Sequence, residues 1–153
     1  MIGNATAKIL PRDDRTRPVA LVVNDTQEIL DLFRDILAEE GFDAVLASYA
    51  PKELDSVIEI DPDVVILDFL IGDEAQGWQL LQKLKMHRQT RHIPCVVCTG
   101  AVNLIKELEG HLTSKNVGIV FKPFDIDDLM ATVRVTMESN PHASSMVTNG
   151  EAE

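Results

Sequence analysis

The chain has 153 residues, of which 45% are hydrophobic and 25% are charged, as in an ordinary folded domain. Its formal net charge of −11 argues against non-specific binding to nucleic acid or to anionic membranes. The longest apolar runs are strand-sized and the first residues lack the apolar segment of a secretory signal, so we expect a cytoplasmic protein with no transmembrane helix.

The two ends of the chain differ in composition from its middle. Residues 1–17 are polar with a mixed charge run and predict a flexible N-terminal arm. Residues 139–153 lack apolar periodicity and predict a disordered C-terminal tail, too short to form an output domain. The folded domain is therefore expected over residues 18–138.

Within that domain, short apolar runs alternate with amphipathic segments. The predicted strands are 19–23, 42–47, 63–67, 93–99 and 117–121. The predicted helices are 27–40 (capped by Thr26 and stopped by Gly41), 50–60, 76–88, 103–114 and 125–138 (capped by Asp125). Strands that are apolar on both faces and joined by helices predict a parallel sheet with helices on both sides, a doubly wound α/β domain.

The two cysteines, Cys95 and Cys98, lie inside the fourth predicted strand. A redox pair of this spacing usually opens a helix, whereas strand residues three apart point to opposite faces. We interpret both as small core residues in a reducing compartment. The four histidines have no metal-ligand spacing, so the sequence indicates no zinc site.

Polar side chains follow four of the five predicted strands. Asn24 and Asp25 follow the first, Asp68 the third, Thr99 the fourth and Lys122 the fifth. Parallel strands bring their carboxyl ends to one edge of the sheet, where ligands of such folds bind. The second strand ends without a charge and is expected at an outer edge. Any one of these residues could simply mark the chain leaving the core, but the joint pattern favours a site.

The residue types at this edge suit phosphoryl chemistry. Two carboxylates at close range repel each other unless a cation is present, and Mg²⁺ prefers oxygen ligands. A carboxylate left partly free beside the metal, such as Asp68, can act as a nucleophile towards a phosphoryl group. Lys122 and Thr99 could then hold the phosphoryl oxygens by charge and by hydrogen bond.

The motifs "LVVND", "VVILDF", "VVCTG" and "VFKPF", in this order and spacing, resemble the CheY-like receiver domain of bacterial two-component response regulators. The resemblance covers about residues 18–138. It implies a flavodoxin-like (βα)5 three-layer sandwich with strand order 2-1-3-4-5. It also implies a stand-alone receiver that takes a phosphoryl group from a sensor histidine kinase or phosphotransfer protein with Mg²⁺. Such a protein is not an enzyme beyond its own phosphorylation and dephosphorylation.

By position, the resemblance implies a role for each residue of the site. The catalytic residues are the phospho-acceptor Asp68, the switch hydroxyl of Thr99 and Lys122; the metal ligands are Asp25, Asp68 and the backbone carbonyl of Leu70, with Asn24 acting through water. The resemblance also implies a cis bond between Lys122 and Pro123. The fourth helix, fifth strand and fifth helix would form the face that binds a downstream protein, and a homodimer is left open.

Three positions depart from the family pattern. Asn24 stands where an acid is usual, so we expect weaker metal binding. Gly72 replaces a typical proline, and the loop before Gly77 is one residue longer. Ile119 replaces the tyrosine or phenylalanine that usually swings inward on activation, so we expect the usual coupling of that ring to the switch hydroxyl to be absent.

Two other classes of function stay open at this point. A pseudo-receiver would keep the fold as a binding module without using phosphorylation; Asn24 and Ile119 favour it, and the remaining site residues oppose it. An enzyme, either a flavodoxin-like cofactor domain or an aspartyl phosphohydrolase, is less favoured. No glycine-rich phosphate loop follows the first strand, and Leu70 stands where such phosphohydrolases carry a second acid.

Overall fold

The computed structural model describes residues 11–48, 54–68, 76–100 and 116–138. The strands are β1 (Val19–Val23), β2 (Asp43–Ala47), β3 (Val64–Asp68), β4 (Cys95–Thr99) and β5 (Val117–Phe121). The helices are α1 (Gln27–Glu39), α2 (Asp55–Ile60), α3 (Gln76–Met86) and a last one, Ile126–Glu138, called the 126–138 helix. A 3-10 turn, Arg12–Asp14, precedes β1. The predicted helix 103–114 lies outside the described residues.

The five strands form one parallel sheet in the order β2-β1-β3-β4-β5. The predicted doubly wound fold and its strand order are therefore confirmed. Both bounds of β3 lie one residue later than predicted, and Asp68 is the last residue of the strand, where it pairs in register with Cys98 of β4. The acceptor candidate thus starts from a backbone position that the sheet holds rigidly.

Alternate residues of each strand feed two separate apolar clusters, one on each face of the sheet. On one face the strands pack with α2 and α3, through Val57, Leu80, Leu81 and Leu84. On the other they pack with α1 and the 126–138 helix, through Leu30, Phe33, Leu129 and Val133. Cys95 belongs to the first cluster and Cys98 to the second, and both are buried free thiols. The interpretation of these cysteines as core residues on opposite faces is confirmed.

The start of α1 is capped differently from the prediction. Thr26 occupies the N-cap position, but its side chain makes no capping hydrogen bond. Instead, the side-chain oxygen of Asn24 accepts a hydrogen bond from the Thr26 backbone N–H at 2.9 Å. The predicted stop is confirmed: Gly41 adopts φ +94°, and the Phe42 N–H returns to the Leu37 carbonyl at 2.8 Å.

Residues 11–17, the end of the predicted arm, lie against the amino-terminal edge of the sheet. The Arg15 guanidinium donates to the carbonyls of Ile60 (2.5 Å) and Asp61 (2.7 Å) at the end of α2. It also lies 3.3 Å from the Asp63 carboxylate, whose same oxygen accepts from the Val19 N–H at 2.7 Å. This carboxylate therefore joins the arm to the start of β1, and an arginine satisfies carbonyls that the end of α2 leaves unpaired.

Candidate functional site

The centre of the site is an ion pair between two strand ends. Asp68 ends β3, and Lys122 directly follows β5, with β4 between them. The Lys122 Nζ lies 2.9 Å from Asp68 Oδ1. The Asp68 side chain is only 12% exposed and that of Lys122 is 44% exposed. A carboxylate so poorly solvated needs a compensating charge, and this ammonium supplies it in the described structure.

Backbone geometry fixes where Lys122 can reach. Its N–H donates to the carbonyl of Thr99, the last residue of β4, at 2.8 Å. The Lys122–Pro123 peptide is cis, as the resemblance implies. Thr99 itself is buried. Asp68, Thr99 and Lys122 therefore lie at the carboxyl ends of three adjacent strands, at one edge of the sheet, as the sequence predicts, while their chemical roles remain predictions.

The end of β1 supplies the acid–amide pair, and its two side chains lie in different environments. Asp25 is exposed, and its carboxylate accepts from the Thr26 hydroxyl at 3.4 Å. Asn24 is only 6% exposed, and its side-chain oxygen is engaged by the Thr26 N–H. The amide oxygen of Asn24 thus stabilises the turn that opens α1. The part of the side chain that remains for the site is its NH2 group, which is a hydrogen-bond donor and carries no negative charge.

The donor set at this edge fits a hard divalent cation that retains water. Asp25 and Asp68 contribute carboxylate oxygens, which Mg²⁺ prefers, and Mg²⁺ proteins commonly supply only one or two carboxylates. Among the described residues, no group of three or more His, Cys, Asp or Glu side chains is placed to hold a metal. Leu70, predicted to add a backbone carbonyl, lies outside the described residues, as does Gly72.

Sequence reasoning missed one neighbour of the site. The pKa of the Cys98 thiol is raised to about 12, mainly by burial and also by the charge of Asp68, while the charge of Lys122 lowers it. Cys98 is the register partner of Asp68, which places a neutral thiol beside the ion pair. In the sequence, the feature that could have indicated this neighbour is the position of Cys98 directly before Thr99. At neutral pH this thiol stays protonated and does not compete with the carboxylate as a nucleophile.

The departure at Ile119 is also located. Ile119 lies on β5 and packs, partly buried, against the cluster on the α2 and α3 face. An aliphatic side chain at this point has no ring and no hydroxyl. Any conformational change that couples β5 to the site must therefore act here through the packing of an aliphatic side chain.

Comparison with known proteins decides the family. Residues 20–134 match the model of the response regulator receiver domain. The chain belongs to this family. The position of the Asp68–Lys122 pair at the carboxyl edge of a 2-1-3-4-5 sheet agrees with that assignment.

Three curated relatives of this receiver domain are covered by the chain to different extents. It is 28% identical to the DNA-binding response regulator MtrA of Mycolicibacterium smegmatis, over 92% of this chain and 60% of that protein. It is 25% identical to the DNA-binding dual master transcriptional regulator RpaA of Synechocystis, covering 78% of this chain and 49% of that protein. Sporulation initiation phosphotransferase F of Bacillus subtilis is 28% identical, with 74% of this chain and 89% of that protein aligned. The chain thus spans about half of its DNA-binding relatives but most of the phosphotransferase.

Solved structures agree on the fold. A CheY-like receiver domain protein from Methanospirillum hungatei superposes with a TM-score of 0.69 at 21% identity, covering 84% of this chain and all of that one (100%). The chemotaxis response regulator CheY4 of Vibrio cholerae gives a TM-score of 0.67 at 22% identity, covering 79% and 99%. Within the described residues, no helix is long and apolar enough to cross a membrane.

Proposed function

We propose that this receiver acts in the cytoplasm as a stand-alone response regulator whose Asp68 accepts a phosphoryl group. The donor would be the phosphohistidine of a sensor kinase or of a phosphotransfer protein. The observation that carries the proposal is the 2.9 Å pair between Asp68 and Lys122 at the carboxyl edge of the sheet. This pair places the nearly buried Asp68 carboxylate, the proposed nucleophile, beside the Lys122 ammonium. Once Asp68 is phosphorylated, the ammonium can bind a phosphoryl oxygen instead.

In the proposed step, an oxygen of Asp68 attacks the phosphorus of the donor. The new O–P bond forms as the P–N bond to the imidazole breaks, and the bonding electron pair stays on that ring nitrogen. The product is an acyl phosphate on Asp68 and a free histidine on the donor. Magnesium held by Asp25 and Asp68 would neutralise part of the phosphoryl charge. Lys122 moves from the carboxylate to a phosphoryl oxygen, and the Thr99 hydroxyl donates to another.

Exposed apolar residues border the site and suit a helical donor. Leu32 on α1 is 53% exposed, and Ile29 lies one turn before it. Phe33 of α1 meets Phe124, next to the 126–138 helix, with ring centroids 6.5 Å apart, so α1 lies close to the start of that helix. There Ile126 is 48% exposed. We propose that the phosphohistidine helix of the donor packs on this surface and presents its ring to Asp68.

The relatives support two routes for output. Two are named as DNA-binding regulators, but the chain spans only part of their length. The relative that it nearly spans is named a phosphotransferase. We propose output through a protein contact or onward phosphotransfer, the latter in keeping with the name of this last relative. The contact would use the predicted face of the fourth helix, fifth strand and fifth helix, repacked without an aromatic ring at Ile119.

The main competitor is a pseudo-receiver, and one observation favours it. Position 24 carries an asparagine, whose oxygen is engaged in the turn at α1, so the described residues at this edge supply two carboxylates, Asp25 and Asp68, and one ammonium. The formal charge of this edge is one unit less negative than with an acid at this position. Metal attraction should be weaker. A pseudo-receiver would bind its partners without taking up a phosphoryl group.

Intact-mass analysis separates the two functions. The wild type, Asp68→Ala and a control, Asp35→Ala on the exposed face of α1, would be incubated with Mg²⁺ and either acetyl phosphate or phosphoramidate. We expect one phosphoryl adduct on the wild type and the control, none on Asp68→Ala, and loss of the adduct with EDTA. Small donors test the acceptor without a cognate kinase. An adduct that survives Asp68→Ala would contradict the proposed acceptor, and no adduct with either donor would favour the pseudo-receiver.

A further inference from the structure

A compact basic surface interrupts this acidic protein. Residues 83–92 contain four of the 14 Lys and Arg residues and no Asp or Glu, although the chain carries −11. They form the end of α3 and the turn before β4. Met86, between these charges in the sequence, is 82% exposed. We call Lys83, Met86, Arg88 and Arg91 the basic pole.

The helix dipole does not account for all of this charge. Cations are favoured at a helix C-terminus because its last carbonyls carry partial negative charge. Lys83 and Lys85 lie in the last turn of α3 and suit this preference, and the Lys85 Nζ also donates to the carbonyls of Ile93 (2.6 Å) and Arg91 (3.2 Å) beyond the helix. Arg88 and Arg91 lie beyond the last residue of α3 and are exposed. In residues 11–48, 54–68, 76–100 and 116–138, no salt bridge engages either arginine.

Two backbone hydrogen bonds join the end of α3 to the turn that carries the rest of the basic pole. The His87 N–H donates to the Lys83 carbonyl at 3.2 Å, and the Arg91 N–H donates to the His87 carbonyl at 2.8 Å. These bonds hold the turn against the end of α3, with Lys83 in the last turn of the helix and Arg88 and Arg91 exposed just beyond it. The charges are therefore gathered within ten residues at this end of the molecule.

The opposite pattern opens the 126–138 helix. Asp125, Asp127 and Asp128 are exposed, and Ile126 between them is 48% exposed. The Asp125 carboxylate accepts the Asp128 N–H at 2.8 Å as the helix cap. We call these four residues the acidic pole. Each pole therefore has one exposed apolar residue beside charges of one sign, and the two signs are opposite.

The poles of one molecule cannot meet. The basic pole precedes β4 at the amino-terminal edge of the sheet, whereas the acidic pole follows β5 at the carboxyl edge. Their helices also cover opposite faces of the sheet. Contact between the poles is therefore possible only between two copies. Because two different surfaces meet, the contact is heterologous and leaves one unsatisfied pole at each end of the pair.

We propose that the basic pole of one copy binds the acidic pole of the next, so that the protein self-associates head to tail. Exposed ion pairs are individually weak, so we expect a dissociation constant on the order of 0.1–1 mM at low salt. Salt of about 0.5 M should largely abolish the association, because it screens exposed charges within a few ångströms. The acidic pole begins three residues after Lys122, so the bound copy lies at the rim of the proposed phosphorylation site.

Sedimentation velocity with two neutralised variants tests this arrangement. Arg88→Gln/Arg91→Gln removes one pole and Asp127→Asn/Asp128→Asn the other, with Arg34→Gln on α1 as a matched control. At low salt and rising concentration we expect the wild type and the control to pass continuously beyond the dimer. Each double variant alone should stay monomeric. An equimolar mixture of the two should form dimers and nothing larger, because each molecule keeps one intact pole.

That mixing result distinguishes a head-to-tail contact from a symmetric one. A twofold dimer built on either pole alone would survive in one of the two variants by itself. A wild type that stays monomeric at millimolar concentration and low salt would overturn the proposal. So would association that both double variants retain, or a mixture that stays monomeric. Circular dichroism of each variant checks that the fold is kept.

Discussion

Replacement of Gly118 by alanine should loosen the packing of the 126–138 helix on the sheet. Gly118 lies on the edge strand β5, facing that helix. A Cβ atom at this position would lie 2.2 Å from Thr136 Oγ1 and 2.8 Å from Thr132 Cγ2. Thr136 is buried and branched at Cβ, so its side chain has few rotamers available and little room to turn away from the added atom.

The expected cost follows from these overlaps. Overpacking in a tight core costs about 1–3 kcal/mol, and the lower chain entropy of unfolded alanine offsets about 0.4–1 kcal/mol of that. We expect Gly118→Ala to lower the free energy of unfolding by about 1–2 kcal/mol. At roughly 4 °C per kcal/mol for a domain of this size, the melting temperature falls by about 4–8 °C.

Urea unfolding of a double-mutant cycle with Thr136→Ala tests the cause. Thr136→Ala should destabilise the wild type but be neutral or stabilising in the Gly118→Ala background, a coupling of about 1 kcal/mol. Gly100→Ala is the matched control, because a Cβ there meets nothing within 4 Å. Equal stability of Gly118→Ala and wild type, or the same cost for Thr136→Ala in both backgrounds, would refute the steric argument.

Two further predictions concern the site. Asn24→Asp adds a carboxylate beside Asp25, so we expect calorimetry to show Mg²⁺ binding roughly tenfold tighter than in the wild type. In EDTA the added charge repulsion should lower the melting temperature. An unchanged Mg²⁺ affinity would show that the residue at position 24 does not affect metal binding. Because the pKa of Cys98 rises from 9.0 to about 12 on folding, this thiol stabilises the protein fully below pH 9 and loses that effect as the pH rises towards 12. Urea unfolding of wild type and Cys98→Val under reducing conditions should show their difference changing by up to about 1.4 kcal/mol per pH unit above pH 9, and a constant difference would contradict the assigned pKa.

Much of the fold could be predicted because its signals are local. The bounds of β1 and β5 agree with the apolar runs, and Gly41 ends the first helical segment as predicted. The candidate site followed from one further step. Parallel strands align their carboxyl ends, so residues far apart in sequence, such as Asp68 and Lys122, could be assigned to one edge before any distance was known.

Other features depend on which neighbours meet in space. A sequence pattern cannot show that the Asn24 oxygen is taken by the Thr26 N–H, because an amide at this position could equally face a metal-bound water. Arg15 looked like part of a polar arm, yet its guanidinium lies in a ring of acceptors supplied by residues 45–48 positions later. Long-range polar contacts of this kind leave no periodic signal.

The sequence by itself determined the alternation of strands and helices, the parallel sheet and the set of polar residues at its carboxyl edge. Each of these follows from the spacing of apolar side chains and from the direction that helical crossovers impose on the strands. Only the tertiary structure decided that Lys122 pairs with Asp68, that Cys98 lies beside them, and that the basic and acidic poles face opposite ways. Those outcomes depend on register and packing between segments distant in the chain, which no local pattern encodes.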